Sequence, residues 1–141
     1  MYKITIEVQF RAAHRLLEPY KGKCNNLHGE GYTAIIELVS TKLDENGMVV
    51  DFGKAKKNIK EWINENWDHA YICKDIYKDD IGFICKDKGF RYFELRKNPT
   101  AENMAEHLFY TIKSRIALPD SKVSKVGIVE SFRDSIGWYQ E

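Results

Sequence analysis

The stretch Tyr2-Lys-Ile-Thr-Ile-Glu-Val-Gln-Phe-Arg-Ala-Ala-His14 decides the fold class of this 141-residue chain. Its large apolar residues, from Tyr2 to Phe10, fall on even positions, and polar residues stand between them. A period of two is typical of a strand with one buried face. Ala12 and His14 continue the phase, so the sequence predicts a strand over 2–14 whose last imidazole faces inward.

The rest of the chain alternates strand and helix signals. After a connection over 15–30, rich in turn residues, a second strand is expected at about 31–41. Two helices are predicted behind capping side chains, one from Asp51 to about Asn66 and one from Thr100. The remaining signals are a short strand at Phe90–Leu95 and two strands over 122–140 around a turn near Arg133-Asp134-Ser135.

This order of elements predicts one α+β domain over residues 1–141, with an antiparallel sheet and its helices on one face. Such a sheet leaves its other face and two edges to be covered. Assembly into an oligomer would cover them.

Composition limits the classes of partner. Lys and Arg number 22 and Asp and Glu number 21, so the formal net charge of +1 gives no electrostatic reason to expect nucleic acid. The chain contains no run of about 18 apolar residues that would suggest a membrane span, and its start does not read as a secretory signal. Its three cysteines, Cys24, Cys73 and Cys85, are too few and odd in number for a disulfide framework, so a cytoplasmic location is expected.

Two histidines and a glutamate are candidate metal ligands. On an extended segment His28 and Glu30 point the same way, and His14 ends the neighbouring strand, so the three side chains can converge. Two imidazoles and one carboxylate form a known catalytic zinc set, and the same set holds non-haem iron. The alternative is that His14 is an ordinary core histidine and Glu30 a solvated loop residue.

Further polar residues are candidates for acid–base chemistry. A thiolate at Cys24 would be a base or nucleophile beside a cation, although a lone cysteine is more often a small buried side chain. In the dipeptide Asp68-His69 the carboxylate can set the tautomer of a proton-shuttling imidazole, although sequence neighbours often point apart. Glu130 ends an apolar strand and could face inward, where a ring with adjacent N–H and NH₂ groups would supply two donors; otherwise it is a solvated strand end.

Six motifs in order resemble the family of 6-pyruvoyl-tetrahydropterin and 6-carboxy-tetrahydropterin synthases. They are Phe10-Arg-Ala-Ala-His14, Cys24-Asn-Asn-Leu-His28-Gly-Glu30-Gly-Tyr32, Gly47-Met-Val-Val-Asp51-Phe52, Trp67-Asp68-His69, Asn98-Pro-Thr-Ala-Glu102-Asn and the late Glu130. The resemblance covers almost the whole chain except residues 72–97.

The resemblance implies a tunnelling fold: four antiparallel strands and two helices in each protomer, with protomers joined into a barrel, commonly a homohexamer of two trimers. It implies a lyase acting on 7,8-dihydroneopterin triphosphate at sites between subunits, with Zn²⁺ held by His14, His28 and Glu30. By similarity Cys24 moves the side-chain proton, His69 oriented by Asp68 completes the proton transfers, and Glu130 anchors the pterin.

The expected product is 6-carboxy-5,6,7,8-tetrahydropterin for queuosine-type deazapurines, with acetaldehyde and triphosphate released. The alternative within the family is 6-pyruvoyl-tetrahydropterin, formed by eliminating triphosphate.

One position departs from the family pattern, because Glu30 stands where the family has a histidine ligand. A carboxylate adds negative charge and favours harder ions such as Fe²⁺ or Mn²⁺. A working site with altered ligation, a changed substrate and a non-catalytic pterin-binding relative therefore remain alternatives.

Overall fold

The computed structural model describes residues 1–131 and 135–141, where a six-stranded sheet packs with three α-helices. The strands lie in the order β4-β3-β1-β2-β5-β6. They are β1 (Tyr2–His14), β2 (His28–Ser40), β3 (Ala70–Cys73), β4 (Tyr92–Glu94), β5 (Lys122–Glu130) and β6 (Ile136–Gln140). The helices are α1 (Phe52–Asn66), α2 (Asp80–Lys88) and α3 (Ala101–Arg115).

The first strand has the predicted bounds and forms the centre of the sheet with β2. The two run antiparallel from Tyr2 opposite Ser40 to His14 opposite His28. Even positions of β1, among them Val8 and Phe10, are buried in the main core with residues of α1 and α3. The period of two therefore correctly predicts that the helices cover the face of β1 formed by its even-numbered residues.

Both predicted helix caps are present. The Asp51 carboxylate accepts the Lys54 backbone N–H at 2.8 Å, and the Thr100 hydroxyl accepts that of Asn103 at 3.2 Å. Each cap satisfies an otherwise unpaired amide of the first helical turn. The Thr100 cap also fixes the segment before α3, which contacts the candidate site.

The prediction of a four-stranded antiparallel sheet with two helices on one face is wrong in three respects. The sheet has six strands, β3 and β4 add in parallel beside β1, and a third helix is present. All four residues of β3 are buried, so no polar alternation marks the strand in the sequence. Ile72 joins the main core, whereas Tyr71 and Cys73 pack with Cys85 of α2 in a second cluster.

The connection predicted over 15–30 ends earlier than expected, because β2 begins at His28. Pairing of His28 with His14 and of Glu30 with Ala12 extends the ladder by three residues beyond the predicted start. At the other end of the chain, β5 and β6 pair antiparallel as expected. Arg133 and Asp134 of the predicted turn lie outside the described residues.

No α-helix in the described ranges combines the length and apolarity needed to cross a bilayer.

Candidate active site

The end of the β1–β2 ladder brings the three predicted metal ligands together. His14 and His28 are direct cross-strand partners, and Glu30 lies two residues along β2 on the same side. Glu30 Oε1 lies 3.4 Å from His28 Nε2 and 4.0 Å from His14 Nε2. One ligand atom from each residue falls within 4.8 Å of the others, a spacing that one cation can bridge.

Backbone carbonyls fix the tautomer of both imidazoles. His14 Nδ1 lies 2.8 Å from the Pro99 carbonyl oxygen, and His28 Nδ1 lies 2.7 Å from that of Asn26. A carbonyl can only accept, so each Nδ1 carries the proton and each Nε2 presents a lone pair toward Glu30. Histidine ligands of metals are oriented in this way by their second nitrogen.

The nitrogen of His14 that faces Glu30 has no hydrogen-bond partner. His14 is only 2% exposed, and its Nε2 is buried and unpaired. Burial lowers the pKa of the imidazole and the nearby His28 adds to this effect, although the Pro99 hydrogen bond and Glu30 oppose it. A buried, neutral, partnerless imidazole nitrogen beside a carboxylate fits a metal ligand better than a core histidine.

A cavity of about 250 Å³ connects the histidine end of β1 with other predicted site residues. Its lining includes His14, Cys24 and Glu130, together with Glu102 at the start of α3. Burial first, and then the charges of Glu30 and Glu102, raise the pKa of the Glu130 carboxyl. The structure therefore brings the Cys24 thiol, one candidate metal ligand, His14, and the Glu130 carboxylate to one cavity.

Cys24 sits in a short 3₁₀ turn, Lys23–Asn25, and is half-buried. A side-chain hydrogen bond joins it to Tyr20 and is the main cause of the raised pKa of that phenol. Gly22 permits this arrangement, because a Cβ on Gly22 would lie 2.6 Å from the Tyr20 hydroxyl oxygen.

Asp68 and His69 form a hydrogen-bonded pair, contrary to the usual behaviour of sequence neighbours. His69 Nδ1 lies 2.8 Å from Asp68 Oδ2, and the left-handed φ of 58° at His69 turns its ring back toward the carboxylate. The backbone of Arg11 clamps the pair, donating to Asp68 Oδ1 at 3.0 Å and accepting the His69 N–H at 2.6 Å.

The electrostatics of this pair keep Asp68 ionised. Burial alone would raise the pKa of Asp68, but the Arg11 amide, His69 and Arg91 outweigh it and lower the pKa. The His69 Nδ1–H donates to the Asp68 carboxylate, and the His69 side chain is 75% exposed, so its other nitrogen is presented to solvent. Such an imidazole can take up or deliver a proton.

The Asp68–His69 pair does not line the cavity that contains Cys24. It lines a second one, of about 410 Å³, together with Gln9, Arg11 and Gly31. These odd-numbered strand residues alternate with those facing the helices, so the second cavity opens on the other face of the sheet. Within one protomer the candidate acid–base groups are therefore divided between two cavities.

Sequence reasoning missed two residues of this region. Glu102 stands at the start of a helix, where an acidic residue is common, yet it lines the cavity with Glu130. The motif that it shares with Asn98 was the sequence feature that could have indicated a role in the site. Ser131 hydrogen-bonds Glu30 across 101 sequence positions, and no local pattern could indicate that contact.

Comparison with known proteins identifies the family. The model of the 6-pyruvoyl tetrahydropterin synthase family matches residues 3–141. The chain is 41% identical over 108 residues to a 6-carboxy-5,6,7,8-tetrahydropterin synthase of Rickettsia conorii, covering 77% of this chain and 78% of that one. A protein of the same name from Haemophilus influenzae is 34% identical over 119 residues, covering 80% and 83%. The structure of Caenorhabditis elegans 6-pyruvoyl tetrahydropterin synthase superposes with a TM-score of 0.70 at 29% identity, covering 100% and 97%.

Proposed function

The chain belongs to the 6-pyruvoyl tetrahydropterin synthase family, and we propose that it is a 6-carboxy-5,6,7,8-tetrahydropterin synthase acting on 7,8-dihydroneopterin triphosphate. Acetaldehyde and triphosphate are the other products, and the tetrahydropterin feeds queuosine-type deazapurine synthesis. The 6-carboxy product is preferred over the 6-pyruvoyl product because the relatives at 41% and 34% identity carry the 6-carboxy name.

One observation carries the proposal: the unpaired Nε2 of His14 faces Glu30 and His28, and His14 lines the same cavity as Cys24 and Glu130. His14, His28 and Glu30 fit a divalent cation, since they offer two lone pairs and one negative charge. Bound there, Zn²⁺ would supply Lewis acidity toward oxygens of the substrate side chain. Fe²⁺ and Mn²⁺ are the other candidates, because a carboxylate is a harder ligand than an imidazole.

Other side chains of the protein would orient the substrate and transfer protons. Glu130 accepts two hydrogen bonds from adjacent N–H and NH₂ groups of the pterin and so orients the ring. Cys24 takes the proton from the substrate side chain, because a thiolate beside a cation can act as a base. His69, held by Asp68, exchanges protons with the opposite side of the substrate.

The division into two cavities favours sites between subunits. His69 of one protomer would reach the Cys24 cavity of its neighbour in a homohexamer built as a dimer of trimers, whose sheets join into a barrel. The cysteines support a reducing, cytoplasmic location, since Cys24, Cys73 and Cys85 are all free thiols.

The test is to load the protein with metal, supply 7,8-dihydroneopterin triphosphate and follow acetaldehyde together with the pterin product. Stoichiometric metal and acetaldehyde release are expected, and Cys24→Ala should lower turnover by about 10²- to 10⁴-fold. Cys85→Ala, which alters a buried cysteine of the second cluster, is the matched control and should keep activity.

Other results would select the alternatives. Triphosphate release without acetaldehyde would indicate the 6-pyruvoyl product. Tight pterin binding with neither turnover nor bound metal would show a non-catalytic relative, with Glu30 as the disabling change.

A further inference from the structure

The two oxygens of the Glu30 carboxylate have different partners. Oε1 faces His28 Nε2 and His14 Nε2, whereas Oε2 accepts a hydrogen bond from the Ser131 hydroxyl. A carboxylate can bind a cation through one oxygen or through both. A hydrogen bond to Oε2 disfavours the second mode, because it occupies a lone pair of that oxygen and fixes the plane of the carboxylate.

The backbone places Ser131 for this contact. Ser131 follows directly after Glu130, which lies opposite Tyr32 in the β2–β5 ladder. Its N–H donates to the Gly31 carbonyl at 2.8 Å, and its φ of 49° is left-handed. A non-glycine residue in this conformation requires support from its surroundings and is often found at functional sites. Here it turns the hydroxyl back toward β2, next to Glu30.

We propose that Ser131 is a positioning residue that restricts Glu30 to one-oxygen coordination of the metal. This role rests on the proposed function, since it requires a cation among His14, His28 and Glu30. Two imidazoles and one oxygen give three protein ligands, and a catalytic centre of this kind keeps a position open. A freely rotating carboxylate would fill that position with its second oxygen and compete with a substrate that offers a pair of oxygens.

A second glutamate of β2, Glu37, also accepts a hydrogen bond from a serine, but no histidine of the candidate metal site faces it. The Ser124 hydroxyl lies 2.5 Å from Glu37 Oε1. That glutamate is also paired with Lys3 and Lys125, and Ser124 first, with the two lysines, lowers its pKa. Cationic amines, not imidazole lone pairs, face Glu37, so this pair serves as a built-in control.

The experiment uses Co²⁺ as the probe in the full-length protein. The visible d–d absorption of Co²⁺ reports coordination number, and competition with a chromophoric chelator reports affinity. Ser131→Ala should weaken the visible absorption, because a second Glu30 oxygen would raise the coordination number, and should change Co²⁺ affinity by about 10-fold or more, the size of effect found when an outer-shell partner is removed. Ser124→Ala, which leaves the contact between Ser131 and Glu30 intact, should leave both unchanged.

A further variant separates loss of the hydroxyl from loss of folding. Ser131→Gly also lacks the hydroxyl but suits a left-handed φ, so it should fold and give the Ser131→Ala spectrum. An unaltered spectrum and affinity in a folded Ser131→Ala or Ser131→Gly protein would overturn the role of Ser131 alone. Failure of the unaltered protein to bind Co²⁺ would overturn the proposed metal site itself, and this role with it.

Discussion

Glu130, the carboxylate proposed to bind the pterin, reduces the stability of the folded protein when it is ionised. Its carboxyl is partly buried, and Glu30 and Glu102 stand near it, so burial and like charge both raise its pKa. Folding therefore disfavours the ionised form, which is the form that accepts two hydrogen bonds from a pterin ring. A pterin would compensate for this cost only when it binds.

Replacing the carboxylate with an amide should separate stability from binding. In the metal-free protein Glu130→Gln should raise the Tm by a few degrees at neutral pH, because it removes a disfavoured charge. It should weaken pterin binding by roughly 10- to 100-fold, because an amide presents a donor to a ring donor. Thermal unfolding and equilibrium binding measure the two effects.

The sign of the pH dependence follows from the direction of the pKa shift. Between the ordinary value of 4.5 and the raised value, the folded protein keeps the Glu130 proton while the unfolded chain has lost it. The contribution of Glu130 to stability therefore falls as pH rises through this window, and the advantage of Glu130→Gln should disappear below it. Glu65→Gln, on the exposed side of α1, is the control. A lower Tm for Glu130→Gln at neutral pH would contradict the argument.

At the scale of elements, the start of α3 and strand β6 meet closely beside the Cys24 cavity. A Cβ on Gly137 would lie 2.6 Å from the Glu102 nitrogen and 2.7 Å from the Ala101 carbonyl carbon. Both atoms belong to the backbone of a capped helix and cannot move away as a side chain could. Gly137 thus allows β6 to form one wall of the cavity while α3 forms another.

Adding one methyl group should therefore separate these elements. Gly137→Ala should destabilise the protein by about 1–3 kcal/mol, the usual effect of overpacking. Gly31→Ala is the matched control, because a Cβ at Gly31 meets nothing within 4 Å and should change stability by about 0.5 kcal/mol or less. Urea unfolding measures both, and equal effects of the two substitutions would refute this account of β6 packing.

The elements also show what the sequence could and could not predict. β1 and the caps at Asp51 and Thr100 depend on signals within a few residues, and they are correct. β3 depends on parallel pairing with β1, and α2 exposes Phe83 and Ile84, so neither has a clear local pattern. The convergence of the three candidate metal ligands was predictable from strand alternation, whereas the left-handed turn at His69 and the Ser131 contact depend on tertiary structure.

For the whole molecule, the exposed sheet edges and the division of the candidate site between two cavities both lead us to expect an oligomer. β4 and β6 are the two outer strands, and Ile136 and Trp138 of β6 are 41% and 44% exposed. Exposed strand edges with apolar side chains favour pairing with another chain. If the proposed sites lie between subunits, the assembly must also bring the His69 cavity of one chain to the Cys24 cavity of another.

Mixed oligomers provide the test of this expectation. Cys24→Ala and His69→Ala should each be inactive alone. If every site takes Cys24 from one protomer and His69 from its neighbour, a random mixture of the two variants should restore about one quarter of the sites. Cys24→Ala mixed with His14→Ala is the control and should restore none, because both residues line one cavity of one protomer. Co-refolding each pair and measuring product formation makes the comparison. Absence of recovery in the first mixture would contradict sites shared between subunits. Cys24 and His69 of one protomer would then have to act at one site, although they lie on opposite faces of the sheet.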